Sequence, residues 1–231
     1  MKRFWTTAEA VQHDRAWGVE LDGKPLRTPA RAPLAVPTKA LAGAMAEEWN
    51  AAEANFDPSS MPLTGLANAA IDRVAPDPAA FGRGLAEYGG SDLTCYRAQA
   101  PRPLVSQQEQ AWDPLLVWAR RRFDVDFRTT SDIVPVAQPA ATTDRLAHAV
   151  GALDGFQLAG LSPLVTIGGS LVAGLAVLEG AVTAAQAWDA VTLDDRWQLE
   201  QWGSDAEAEQ RLENRRRDFF AAASFLLLLE D

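Results

Sequence analysis

Two adjacent aspartates, Asp194 and Asp195, are the side chains best suited to proton chemistry. Paired carboxylates in unlike environments can divide the acid and base roles between them, provided that both face one cleft. The same two residues suit a charged protein-binding face. Between residues 189 and 213 eight acids (Asp189, Asp194, Asp195, Glu200, Asp205, Glu207, Glu209, Glu213) stand against Arg196 and Arg211, with Trp188, Trp197 and Trp202 interleaved. Aromatic anchors ringed by charge are the composition of a protein interface. The segment is therefore either a solvated acidic face or a patch for a basic protein surface.

Other chemistries find little support. Cys95, in Asp92-Leu-Thr-Cys-Tyr96, has neither a neighbouring histidine nor a helix start to lower its pKa, which predicts a buried, inert thiol. His13 falls in a polar loop and His148 between two alanines, both positions of ordinary surface or satisfied histidines. One cysteine and two histidines are too few soft ligands for a zinc or copper site. No G-x-S-x-G, G-x-G-x-x-G or G-x-x-x-x-G-K-[ST] occurs, so the common nucleophile elbow and phosphate cradles are missing. The expectation is a chain without metal or cofactor.

Charge narrows the partners. The 231 residues carry 21 Lys+Arg and 31 Asp+Glu, a net charge of −10 that repels phosphate backbones and anionic lipid headgroups. Nucleic acid is disfavoured as a partner on that ground. Residues Gly155 to Leu178 are uncharged, but Ser162, Pro163, Ser170 and five glycines interrupt them, which predicts a central core helix and no membrane insertion. The opening MKRFWTTAEAVQHDR lacks the apolar run of a signal peptide and the acid-poor character of a transit peptide. The expected compartment is a bacterial cytoplasm, or the mitochondrial matrix if a presequence has been removed.

These side chains need elements to position them. Trp17, Val19 and Leu21 alternate with Gly18 and Glu20, and Asp22-Gly23 suits a tight hairpin, with Leu26 and Thr28 on the returning strand. Thr38 caps a helix bearing Leu41, Met45, Trp49 and Ala52, which packs across that sheet. The turn-rich segment Phe56 to Thr64 marks a boundary. Beyond it come helical stripes: Leu66, Ala70 and Val74; Phe81, Leu85 and Tyr88; and Leu104, Gln108, Trp112, Leu115 and Ala119, with Asp113-Pro114 predicting a kink or fresh start. Short alternation at Val125 and Phe127 predicts a strand near 124–136 returning to the first domain. Helices follow at 143–153 and after Ser162-Pro163. Thr183 with Gln186, and Ser204 with Glu207, match capping boxes, and Leu212, Phe219, Ala223, Leu226 and Leu227 form the last buried stripe. The fold class is α+β, with an N-terminal α+β domain at 1–58 and a C-terminal helical domain at 59–231.

A set of short motifs runs the length of the chain: Leu21-Asp-Gly-Lys-Pro25 with Thr28-Pro29, Glu48-Trp49, Met61-Pro-Leu-Thr64, Asp92-Leu-Thr-Cys-Tyr-Arg97, Trp112-Asp-Pro114, and Leu193-Asp-Asp-Arg-Trp-Gln198 with Trp202-Gly203. In these pieces and their order the chain resembles the assembly chaperones that bind the alpha subunit of the F(1) sector of ATP synthase. The resemblance implies a non-enzymatic protein that holds a free alpha subunit, prevents its aggregation and releases it into the alpha/beta hexamer. It implies a small domain of strands with a helix, joined to a helical bundle. The acid important in that family corresponds to Asp194, where the family often has Glu, and its tryptophan after an acidic residue corresponds to Trp49. Partner-binding residues are then Asp194, Asp195, Trp197, Glu200 and Trp202, while Trp49, Asp92, Arg97 and Trp112 are structural or functional. The rival reading is a carboxylate-dependent, metal-independent hydrolase built on Asp194 and Asp195.

Overall fold

The computed structural model describes residues 2–132, 134–203 and 206–230, with the Trp202 side chain outside the described set. The chain forms two compact units, the first made of Met1–Pro78, Asp154–Gly160 and Ala221–Asp231, the second of Ala79–Leu153 and Leu161–Phe220. A division at 58/59 therefore falls inside the first unit. Beyond the turn-rich segment the helix Pro62–Ala69 packs against the helix Lys39–Ala51 and the Thr28 hydroxyl donates to Asp72, and two later stretches of chain join the same unit.

In the first unit β1 (Ala8–His13), β2 (Ala16–Leu21), β3 (Lys24–Pro25) and β4 (Ala35–Val36) form an antiparallel sheet in which β2 pairs with the other three. Leu21 pairs with Lys24 across Asp22 (φ 48°) and Gly23 (φ 75°), the positive-φ pair that a two-residue hairpin requires. Asp22 also accepts hydrogen bonds from the Thr6 and Thr7 amides, which hold its carboxyl below the usual range. Thr28 lies outside the strands. Its hydroxyl donates to Asp72 at 2.7 Å and the Ala30 amide donates to the same carboxylate at 3.0 Å, so Thr28-Pro29 is a pinned turn.

Helix α1 (Lys39–Ala51) starts where expected, with the Thr38 hydroxyl accepting from the Leu41 amide at 3.2 Å. Leu41, Ala42, Met45 and Ala46 bury one face of α1 among Val19, Leu21 and Val36 of the sheet and Phe225 of the last helix. α2 (Pro62–Ala69) lacks a side-chain cap of its own. Glu48 of α1 supplies it, accepting from the amides of Leu63 (2.7 Å) and Thr64 (2.9 Å) and from the Thr64 hydroxyl (2.8 Å). Trp49 donates its indole N–H to the same Thr64 hydroxyl at 3.1 Å, and its ring meets Trp5 edge-on at 4.9 Å. The motifs Glu48-Trp49 and Met61-Pro-Leu-Thr64 are thus two halves of one joint. A π-helical turn, Ala70–Val74, continues α2.

The second unit is helical. Its elements are most of α3 (Pro78–Ala86), α4 (Arg102–Phe123), α5 (Ala140–Gly151), the later part of α6 (Gly155–Gly168), α7 (Leu171–Leu178), α8 (Ala184–Val191), α9 (Leu193–Trp202) and the first part of α10 (Ala206–Leu227). α4 runs through Pro114 unbroken, because Pro114 lies on its exposed face, where water can take up the carbonyl that proline leaves without a donor. The uncharged stretch 155–178 is two helices: Gly169, at φ 66°, ends the first, and the Ser170 hydroxyl caps the second through the Ala173 amide at 3.0 Å. Among the described residues no helix is long and apolar enough to cross a membrane.

Among the described residues 124–136 form no strand. Val125 and Phe127 are buried, but their neighbours' backbone groups are satisfied by side chains: Thr142 bonds both the N–H and C=O of Asp126, and Gln138 does the same for Arg128. The Thr183–Gln186 capping box forms at the start of α8, whereas Ser204 of the second box lies outside the described residues. On α10 the buried positions are Phe219, Ala222, Phe225 and Leu226; of the expected stripe Phe219 and Leu226 are buried, Leu212 and Ala223 half-buried and Leu227 exposed. Replacing Thr64 by valine removes the hydroxyl shared by Glu48 and Trp49 at nearly constant volume, and is expected to destabilise the fold by about 1–3 kcal/mol, measured as a lowered urea midpoint.

Candidate functional site

Asp92 is fully buried and accepts four hydrogen bonds: from the Thr94 amide (3.0 Å) and hydroxyl (2.7 Å), the Ser170 hydroxyl (2.8 Å) and the Val172 amide (2.9 Å). Complete burial raises its carboxyl above the usual range, against the pull of those donors. The group ties the 3-10 turn Leu93–Cys95 to the first turn of α7. Cys95 beside it is buried, and burial with the nearby Asp92 charge pushes its thiol up to about 12, as suits an inert thiol.

From that anchor the contacts lead outward. The Thr94 carbonyl accepts from Arg97 Nε at 2.8 Å, Arg97 reaches Asp113 at 2.7 Å, and its guanidinium lies 5.3 Å from the Trp112 ring centre. Trp112 is wholly buried and donates its indole N–H to the carbonyl of Ala190 at 2.8 Å, holding the end of α8 immediately before α9 begins. One turn earlier on α4, buried Gln108 accepts from the Ala98 amide at 2.8 Å and donates to Asp194 at 2.8 Å. The motifs containing Asp92, Trp112 and Asp194 are one connected network that sets α9 in place.

On α9, Leu193 is buried, while Asp194, Asp195, Trp197 and Leu199 are half-buried and Arg196, Gln198 and Glu200 exposed. Its apolar residues are spread around the helix, so no single stripe glues it down. Trp197 and Glu200 line a hollow of about 350 Å³ with Gln107, Gln110 and Ala111 of α4. Asp195 faces another hollow, of about 430 Å³, with Leu199, Leu212 and Arg215. Trp202 belongs to α9, and its side chain lies outside the described residues. Trp49 sits in the first unit, in the joint described above.

The two aspartates do not converge. Asp195 pairs with Arg215 at 2.8 Å, and Arg215 also donates to the carbonyl of Ile167, whereas Asp194 turns to Gln108. Burial raises the Asp194 carboxyl above its usual range, opposed by the Gln108 hydrogen bond and reinforced by the Asp195 charge. Adjacent helical residues point about 100° apart, which separates the pair that a shared acid–base cleft would need. The acidic segment is also less negative than its sequence: Asp189 pairs with Arg196, Asp195 with Arg215, Glu207 with Arg211 and Glu213 with Arg216. Asp194 forms no ion pair with any described residue. No cluster of three or more His, Cys, Asp or Glu able to hold a metal occurs among the described residues.

Several positions in this network were not singled out from the sequence. Gln108 carried one signal, a polar side chain on an otherwise apolar stripe, which must find partners when buried. Ser170, read only as an interruption of the uncharged stretch, and Arg215 carried no signal of their contacts with Asp92, Asp195 and Ile167, because those partners lie far away in the chain.

Residues 2–120 match the family described as ATP12 chaperone protein. The chain belongs to the ATP12 chaperone family. The crystal structure of Atp12 from Paracoccus denitrificans is 42% identical, with a TM-score of 0.93 over 99% of this chain and 98% of that one. A crystal structure of an Agrobacterium tumefaciens protein is 36% identical, with a TM-score of 0.94 over 99% of this chain and 86% of that one. The mitochondrial atp12 protein of Schizosaccharomyces pombe is 23% identical over 90% of this chain and 76% of its own length. As an ATP12 protein the chain is a chaperone of ATP synthase assembly and not a hydrolase.

The raised Asp194 carboxyl has a consequence for stability. The folded protein binds this proton more tightly than the unfolded chain, whose carboxyl keeps a value near 3.8. Stability from this group therefore falls as pH rises through its folded pKa and is recovered on acidification. Asp194→Asn is expected to flatten that part of the stability–pH profile, measured by urea unfolding between neutral and mildly acidic pH.

Proposed function

We propose that this ATP12 protein binds the free alpha subunit of the ATP synthase F(1) sector, and that the exposed side of α9 is its contact surface. The observation that carries the assignment is Asp194: a half-buried carboxylate held by an amide, with no cation beside it among the described residues. Such a charge has lost part of its hydration without an ionic partner. An arginine or lysine of the client would supply one. Trp197 and Glu200 of the same helix, which line a hollow with Arg196, give an aromatic anchor and an exposed acid for the rim.

The action needs no bond to be made or broken. An orphan alpha subunit exposes a surface meant for other subunits, and a protein that covers it suppresses self-association by mass action. Release requires moderate affinity, which a rim of charges and partly buried aromatics suits better than a wide apolar contact. The acidic balance of the chain, −10, is compatible with a protein client and disfavours nucleic acid. The proposed setting is the bacterial cytoplasm.

Asp194→Lys places a cation where the client would present one. Its affinity for purified alpha subunit is expected to fall at least about tenfold, measured by calorimetry, with the thermal midpoint of the free chaperone as control for folding. Retained affinity in a folded variant would remove α9 from the contact surface, and absence of binding by the wild type would refute the client assignment.

A further inference from the structure

The first unit carries a hollow of about 710 Å³ that the α9 site does not use. One wall is a stripe of α1, Ala44, Glu47, Glu48 and Ala51, at positions i, i+3, i+4 and i+7 of a single helix face. Phe56 and Leu63 stand opposite. The alanines create the concavity, since larger side chains at 44 and 51 would fill it. The remaining walls are held in place. Phe56 packs edge-on against Trp5, with ring centres 5.4 Å apart, and Glu48 is fixed to the Leu63 and Thr64 amides.

The charges on this hollow have one sign. Glu47, Glu53 and Asp57 join Glu48 around it, and no described lysine or arginine lines it, the cation beside it being Arg3, which donates to the carbonyl of Ala52. Glu47 and Glu53 are exposed and make no hydrogen bond or ion pair with any described residue. A preformed apolar floor with free carboxylates at its rim selects an apolar side chain flanked by cations. A second copy of this acidic chain would bring like charges to the rim, and anionic polymers or lipids would be repelled.

We propose that this hollow docks a short segment of the client in which an apolar side chain is flanked by arginine or lysine, the apolar group resting on Ala44 and Ala51 and the cations on Glu47 and Glu53. The inference rests on the client reading above, in that the segment belongs to the alpha subunit, and it adds a second contact on the other unit.

Calorimetry with purified alpha subunit tests it on the full chain. Glu47→Lys combined with Glu53→Lys reverses the rim, and Ala51→Trp fills the hollow without changing charge. Each is expected to weaken binding about tenfold, the loss from charge reversal shrinking as salt rises, with thermal midpoints unchanged. If charge reversal lowers the midpoint, Glu47→Gln with Glu53→Gln replaces it, with a smaller loss expected. Wild-type affinity in the folded rim and filling variants would overturn the hollow and leave the client assignment standing. If the wild type fails to bind alpha subunit, the client assignment fails. The hollow is then decided by an NMR titration of the labelled chain with a synthetic peptide carrying leucine between two arginines. Shifts centred on Ala44, Ala51, Phe56 and Leu63 that Ala51→Trp abolishes would support it, and their absence would overturn it.

Discussion

A carboxylate with no access to water must be fully hydrogen-bonded, and Asp92 meets that demand with two backbone amides and two hydroxyls. The donors come from residues 78 to 80 positions apart in the chain as well as from its immediate neighbours. Satisfying one buried charge thereby fixes where the turn after Asp92 meets α7. Arg97, Trp112 and the end of α8 follow from that meeting, each through a directional contact that a purely apolar core would not supply. The position of α9, and with it the orientation of Asp194, is the last step of the chain. A buried network of this kind tolerates no missing member, because each loss leaves a donor or acceptor without solvent.

The second principle at work is charge balance by position. Acids and arginines on α9 and α10 pair so that the local charge is small, and Asp194 stands out by what holds it, an amide. Gln108 can orient a carboxylate without neutralising it, since the amide donates a hydrogen bond and carries no charge. The arrangement keeps Asp194 ordered and leaves its charge available. A lysine at the position of Gln108 would instead have paired with Asp194 and neutralised it.

In the first unit the equivalent economy is the joint at Thr64. Glu48 satisfies the start of α2, which has no cap of its own, and Trp49 uses the same hydroxyl as an acceptor. Two consecutive residues on α1 thus perform a polar and an aromatic task at one point. The burial of Glu48 raises its carboxyl above the usual range, a cost offset by three hydrogen bonds that define the angle at which α2 leaves the sheet.

What the amino-acid sequence determined alone is what local geometry determines. The hairpin at Asp22-Gly23, the Thr38 cap, the Thr183–Gln186 box and the apolar face of α1 depend on residues within a few positions of each other, and all are present. The motifs were legible as an ordered series, which carried the family. Tertiary structure decided the rest, for one reason: a hydrogen bond between distant residues leaves no periodic trace. It turned the alternation at Val125 and Phe127 into buried loop by giving their neighbours side-chain partners. It also separated Asp194 from Asp195, because only the placement of Gln108 and Arg215 on other helices decides which way each carboxylate turns.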